Sequence, residues 1–316
     1  MRWATPLGWA EEMRPFAGPR PVILVLPTVV TLVLLVLAAR IAMSRDVGQG
    51  LIPTSDTARP SHRLLSSPTA LALRRQRAVL SAWIIGLGTF AVILGAISTS
   101  VSTAGISAGM QNDLARFGVG SILSPIGYLS FVFIVFIFAV CLFSCAQVGA
   151  AREEESSQRL ETVLVQPVSR SGWLGGRLAL AAVIIAGLSL LAGLMTWVGA
   201  RSQGVAVALP KLLEAGVNCL PPALMFLGLA ALAYTLLPRA SSTISYTLVG
   251  LSFLWYLVGD LIGAPRWLTD LTPFQHIGLV PVQNLEVPAA GVMLGIGLAA
   301  TVAALVLFRR RDLAGA

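Results

Sequence analysis

The sequence predicts an all-α integral membrane protein with about seven transmembrane helices. Seven stretches are continuously apolar for roughly the 20 residues that a helix needs to cross a hydrocarbon core about 30 Å thick. The composition agrees, with 56% hydrophobic and 11% charged residues and a mean hydropathy of +0.83, which in water would leave a large exposed apolar surface. Arginines fall alternately rich and poor between the stretches, as the loops of a membrane protein with a fixed orientation require. The runs are continuous rather than alternating, which argues against spanning β-strands.

The expected spans are 21–43, 80–101, 125–150, 176–200, 220–237, 243–262 and 288–308. The fifth and sixth are separated only by 238–242, which suits a helical hairpin with one tight turn. Orientation follows from the cations, because cytoplasmic loops retain Lys and Arg. One set of segments holds most of the 22 Lys+Arg, including Arg40, Arg45, Arg59, Arg63, Arg74, Arg75, Arg77, Arg152, Arg159, Arg170, Arg177, Arg239 and Arg309 to Arg311. The C-terminus is therefore expected in the cytoplasm and the N-terminus outside. Trp83, Trp173, Trp197 and Trp267 all lie near predicted span ends, where amphipathic rings favour the headgroup zone.

The net charge of +8 thus reads as membrane topology, and no nucleic-acid motif stands behind it. Cys141 and Cys145 lie one turn apart in the third span with no His or carboxylate beside them, so they read as packing residues, and no metal site is expected. His62 and His276 are expected on opposite sides of the membrane and cannot share a site, which argues against a membrane-embedded enzyme. The spans are nearly free of charge, with Asp260 at the predicted outer end of the sixth, which argues against an ion-coupled secondary multidrug transporter.

The segments 5–46 and 272–312 share a layout: Thr-Pro at the start, a further proline (Pro15, Pro281), a span, and Arg-Asp at the close. The expectation is that 1–43 holds an outer interfacial segment and the last helix of a truncated first half. Residues 44–79 then form a cytoplasmic linker with an amphipathic connecting helix, and 80–316 a six-helix unit. The residues before Pro21 lack a secretory signal pattern, which also suggests something missing upstream.

The chemistry-bearing loop is 151–175. Read as a helix, 153–167 places Leu160, Val163 and Leu164 on one face and pairs Glu155 with Arg159 at i, i+4. Glu153, Glu154 and Glu155 favour a helix N-terminus, where the macrodipole is positive, and Pro167 ends the run. A short amphipathic helix on the cytoplasmic surface results, suited to anchoring or to docking a partner. Just before the second span, Ser67-Pro68 is a helix start, and Arg74, Arg75 and Arg77 would line a polar face that anionic lipid can hold.

The wording of these segments, Gln166-Pro167-Val168-Ser169-Arg170 and Trp173-Leu174-Gly175-Gly176-Arg177, resembles the loop between the second and third helices of type-2 ABC transporter permeases. Leu7-Gly8-Trp9 with Arg14-Pro15-Phe16, Leu271-Thr272-Pro273-Phe274-Gln275-His276 and Phe308-Arg309-Arg310-Arg311-Asp312 look like the polyketide-antibiotic exporter branch of that family.

The resemblance implies a six-helix type-2 ABC exporter unit at 80–308 that moves hydrophobic or antibiotic-like small molecules out of the cell across the plasma membrane. It implies a coupling helix formed by Glu153, Glu154, Glu155, Arg159, Leu160, Glu161, Leu164, Pro167 and Arg170, a connecting helix with Arg74, Arg75 and Arg77, and an outer gate with Trp267, Phe274 and His276. The sequence has no Walker A loop, so ATP hydrolysis and the ATP and Mg2+ sites are expected on a separate ABC ATP-binding subunit in two copies. The other implied partners are membrane lipid and a first permease half or second permease chain.

Overall fold

The computed structural model describes residues 8–9, 12–13, 20–43, 67–103, 124–157, 169–259 and 261–311. Arg159, Leu160, Glu161, Leu164 and Pro167, the linker 44–66 and Asp260 lie outside the described residues. Among the described residues there is no strand, and seven helical segments are long and apolar enough to cross a membrane. The protein is an all-α membrane protein. Its chain divides into two units, Met1–Ser61 and His62–Ala316.

The first unit holds a 3-10 turn, Pro21–Leu24, leading into α1, Val25–Met43, none of whose residues is buried. The hydroxyls of Thr28 and Thr31 donate to the carbonyls of Leu24 and Pro27 at 2.7 Å, so they carry no unsatisfied donor into an apolar solvent.

The second unit is built from α2 (Pro68–Thr103), α3 (Pro125–Ser156), α4 (Arg170–Ser202), α5 (Leu209–Val217), α6 (Leu220–Leu236), α7 (Ser241–Val258), the single turn α8 (Arg266–Thr269) and α9 (Val287–Arg310). Serines open the first three. Ser67, Ser124 and Ser169 each accept a hydrogen bond from the backbone N–H three residues on, and proline follows directly at Pro68 and Pro125.

Three of the helices outrun the bilayer. At 36 residues α2 is about 54 Å long against a core of about 30 Å. The segment with Arg74, Arg75 and Arg77 is therefore the first part of one continuous helix with the second span, not a separate element. In the same way α3 continues past 150 to Ser156, so Glu153, Glu154 and Glu155 lie in its last turn and not in the first turn of a new helix. The fifth span begins earlier than its sequence suggested: α5 and α6 together form one crossing, Leu209–Leu236, broken at Asn218-Cys219.

Two pairs of parallel helices give the unit its frame. α2 runs along α4, and α6 along α9. In each pair glycines face the partner's backbone: Gly95 packs on Thr196 and Ala200 while Gly199 packs on Val92, and Gly228 packs on Gly297, which itself meets Leu224 and Met225. Small residues let helix backbones approach where lipid supplies no hydrophobic drive. α3 lies between the pairs, with Leu129, Phe133, Phe136, Ile137, Val140 and Phe143 almost wholly buried. Trp83 of α2 meets Phe143 edge-on, and Phe138 of α3 stacks on Phe253 of α7 with centroids 4.1 Å apart.

Candidate functional site

The starts of α2, α4 and α7 and the ends of α3, α6 and α9 gather at one end of the bundle, which also carries Arg74, Arg75, Arg77, Arg152, Arg239, Arg309 and Arg310. This charged end is the candidate site. Its centre is the last turn of α3. Glu154 and Glu155 are adjacent in sequence, and each takes partners from a different helix pair.

Glu154 belongs to the α2–α4 pair. Arg177 of α4 donates to its Oε1 at 3.1 Å, and Arg75 of α2 reaches the same oxygen at 3.6 Å. The Arg177 side chain is only 5% exposed, so the carboxylate is what makes a buried guanidinium tolerable there. Its cationic carbon also lies 6.0 Å from the centre of the Trp173 ring.

Glu155 belongs to the α6–α9 pair. Arg311, directly after α9, donates to its Oε1 at 2.6 Å, and the buried hydroxyl of Tyr234 on α6 donates to its Oε2. Arg311 further donates to the Tyr234 carbonyl at 3.3 Å and sits over that ring at 5.4 Å, while its own carbonyl accepts from Arg170 at 2.6 Å. A layer of rings joins the two sets: Trp173 stacks on Phe308 at 5.9 Å, and Phe308 lies 5.8 Å from Tyr234. The charged end is thus one chain of contacts, Glu154, Arg177, Trp173, Phe308, Tyr234 with Arg311, and Glu155.

Of the residues singled out in the sequence, this site gathers Glu154, Glu155, Arg75 and Arg170. Glu153 is exposed, and its carbonyl accepts from the hydroxyls of Ser156 and Ser157. Arg77 is exposed and Arg74 half-buried. The i, i+4 partner expected for Glu155 is Arg159, outside the described residues; the partners it has are Arg311 and Tyr234. Those two, with Phe308, were not singled out as site residues. Arg177 just inside a predicted span was the available signal, because a cation at that depth calls for a carboxylate.

The far end is built differently. Phe274, in the 3-10 turn Pro273–His276, is buried against Phe226, Phe253 and Tyr256. The Thr272 hydroxyl donates to the Ser252 carbonyl at 2.9 Å, and the Trp255 indole to the Leu268 carbonyl at 3.0 Å, so the segment from α8 onward is pinned on α7. Trp267 is 69% exposed, and the His276 ring donates to the Asp270 carbonyl at 2.7 Å. Of the three outer residues only Phe274 is enclosed.

Cys141, Cys145 and Cys219 are buried free thiols, and among the described residues no group of three or more His, Cys, Asp or Glu is placed to hold a metal ion.

Comparison with known proteins accounts for this architecture. Residues 65–309 match the family described as the multidrug efflux system permease Rv1217c, C-terminal domain. The multidrug efflux system permease protein Rv1217c of Mycobacterium tuberculosis is 30% identical over 315 residues, covering 99% of this chain and 57% of the relative. The chain therefore spans little more than half the length of that relative. The match takes in nearly all of the six-crossing unit, including Glu154, Glu155, Arg177 and Tyr234 but not Arg311, and the chain belongs to the family of the multidrug efflux system permease Rv1217c C-terminal domain.

Proposed function

We propose that the chain is a membrane permease component of an ATP-driven exporter, carrying hydrophobic or antibiotic-like compounds out of the cell and driven by a separate ABC ATP-binding subunit in two copies. The observation that carries this reading is the charged end. Residues of α2, α4 and α6 and the residue directly after α9 meet Glu154 or Glu155 there, shortly before 166–170 and 173–177, which carry the resemblance to type-2 ABC permeases. A push on the chain that follows α3 reaches both helix pairs through two adjacent residues. The mycobacterial relative, described as a multidrug efflux permease, supports the cargo class.

In this reading the charged end faces the cytoplasm and the N-terminus lies outside, in line with the arginines gathered there. Residues 153–170 are the coupling element, with Glu153, Glu154 and Glu155 at its entry and Arg170 at its exit, and Arg74, Arg75 and Arg77 of α2 lie beside it as the connecting segment. ATP and Mg2+ bind the partner subunit, and this chain holds no cofactor. A further six-helix permease unit, in the same or another chain, completes the pathway. Trp267, Phe274 and His276 belong to its outer end.

Extraction from native membranes in mild detergent, followed by intact-mass identification of the components, tests this. The expected result is an ATP-binding subunit in the complex, with ATP hydrolysis that Glu161→Ala, or Leu160→Ala with Leu164→Ala, uncouples without loss of membrane insertion. A chain that purifies without an ATPase and exports on a proton gradient after ATP depletion is a secondary transporter instead.

A further inference from the structure

We infer that one six-helix unit opens internally at its far end, between α5 and the loop 278–286, by bending the fifth span at Asn218 to Pro222 while the charged end stays closed as the pivot. This goes beyond the proposed transport function and does not depend on an ATPase partner.

The first argument is the division into bodies. α5 is fixed to α4: Gly193 packs on the backbone of Leu212, Gly216 packs on the backbone of Ser189, and the Trp197 indole donates to the Val207 carbonyl at 3.2 Å, holding down the connecting turn. That turn reverses through Gly204, whose φ of 76° favours glycine. α5 therefore moves with α4 and α2. α6 is fixed to α9 by the facing glycines Gly228 and Gly297. One crossing is thus divided between two bodies.

The second is the joint itself. Pro221 and Pro222 have no N–H, so the helical bonds that would close on the carbonyls of Val217 and Asn218 cannot form. The helix breaks there into a turn at Asn218-Cys219, and hinges use such element ends.

The third is what holds the far end shut. Lys211 donates to the Asn284 side-chain oxygen at 3.0 Å, Glu214 accepts from the Leu285 N–H at 3.3 Å, and Asn218 donates to the Gly278 carbonyl at 2.8 Å. All three join α5 or the joint to the loop before α9. That loop is closed on itself by Gln283, which bonds the Leu279 N–H through its side chain and the Leu279 carbonyl through its backbone, both at 2.9 Å, and it is tied to α3 by Val282 donating to Ser130 at 3.1 Å. It moves as a piece with its own body. Lys211 and Glu214 are 45% and 32% exposed along their side chains, so water can replace those bonds when they part. At the charged end the α4–α9 contacts are stacked rings and the Arg170 bond to the Arg311 carbonyl.

Spin-label distances on the full chain in lipid nanodiscs test this. Ile97, Val198 and Val292 are exposed on α2, α4 and α9 near the far end, and Ala179 and Val306 are exposed on α4 and α9 towards the charged end. A cysteine introduced at each takes the label, while the native thiols are buried. Ile97–Val198 and Ala179–Val306 should give narrow distributions. Val198–Val292 should be roughly twice as broad, because a hinge leaves bodies intact and changes only the distance between them. Lys211→Ala with Asn218→Ala should broaden Val198–Val292 further and leave the other pairs unchanged, and Pro221→Ala with Pro222→Ala should narrow it.

If Val198–Val292 is the broad pair in the wild type and broadens further and selectively in the Lys211/Asn218 variant, the far end is a latch that opens and the inference stands. Equal narrow widths for all pairs in both proteins, or broadening of all pairs together, overturn it. The wild-type and latch-variant comparison decides the matter even if the proline variant does not fold.

Discussion

The two ends of the bundle are held by different chemistry. At the charged end, full charges are withdrawn from water: the side chains of Glu155 and Arg311 are 9% and 14% exposed, and that of Arg177 is 5%. These pairs join residues far apart in sequence and fix both helix pairs to one turn of α3. At the far end the cross-links are mainly hydrogen bonds between a side chain and a backbone group, and the one ion pair there among the described residues, Lys211 with Glu214, lies within a single helix. Breaking a buried ion pair leaves an uncompensated charge, whereas a neutral hydrogen bond costs less to break, and water readily replaces those of the half-exposed Lys211 and Glu214, though not the buried one of Asn218. The same fold therefore has one end built to stay together and one end able to part.

The largest effect that sharpens this contrast is expected from Glu154→Ala. It leaves Arg177 buried and unpaired, and the cost is about 3–5 kcal/mol of stability, read as a fall in the thermal unfolding midpoint of the detergent-solubilised protein. Glu155→Ala should cost somewhat less, because Arg311 keeps its bond to the Tyr234 carbonyl and its place over that ring.

Next come the glycine contacts. Gly199→Ala and Gly228→Ala each drive a Cβ into the backbone of the partner helix, and overpacking of this kind costs about 1–3 kcal/mol. Gly187→Ala and Gly250→Ala, where an added Cβ meets nothing within 4 Å, should cost nothing or stabilise slightly through helix propensity. Equal loss at all four positions would remove the close-approach argument for the two pairs.

At the far end, Asn218→Ala removes the donor to the Gly278 carbonyl, with an expected cost of about 1–3 kcal/mol. Lys211→Ala should be the mildest, within about 1 kcal/mol, because the pair with Glu214 is half exposed. A far-end substitution that matched Glu154→Ala would erase the difference between the ends.

The spans were legible because apolar length is a local property, and each of the seven stretches coincides with a crossing helix. Their ends were less so. Glu153 to Glu155 suit the first turn of a helix by the macrodipole rule, an effect of roughly 0.3–1 kcal/mol. In the structure they occupy a last turn, the unfavourable end, because two of them are paired there with arginines, which outweighs the dipole. The pairing of Glu155 with Arg311 spans 156 residues, and no local rule reaches that far. In the same way the glycines of α2, α4, α6 and α9 look alike in sequence whether they face a helix, as Gly199 does, or open space, as Gly187 does. The fifth expected span starts at 220, which leaves out α5, although Leu209–Leu236 together is long and apolar enough to cross.

The central claim is that Glu154 and Glu155 clamp the two helix pairs at one end through charge. A charge exchange tests it directly: Glu155→Arg, Arg311→Glu and the double exchange, each measured for unfolding midpoint in the same detergent. Each single exchange places like charges together and should lower the midpoint sharply. The double exchange should recover most of the loss, a coupling of about 0.5–3 kcal/mol between residues in contact. A double variant no better than the sum of the two singles would mean that the charges do not hold the end together.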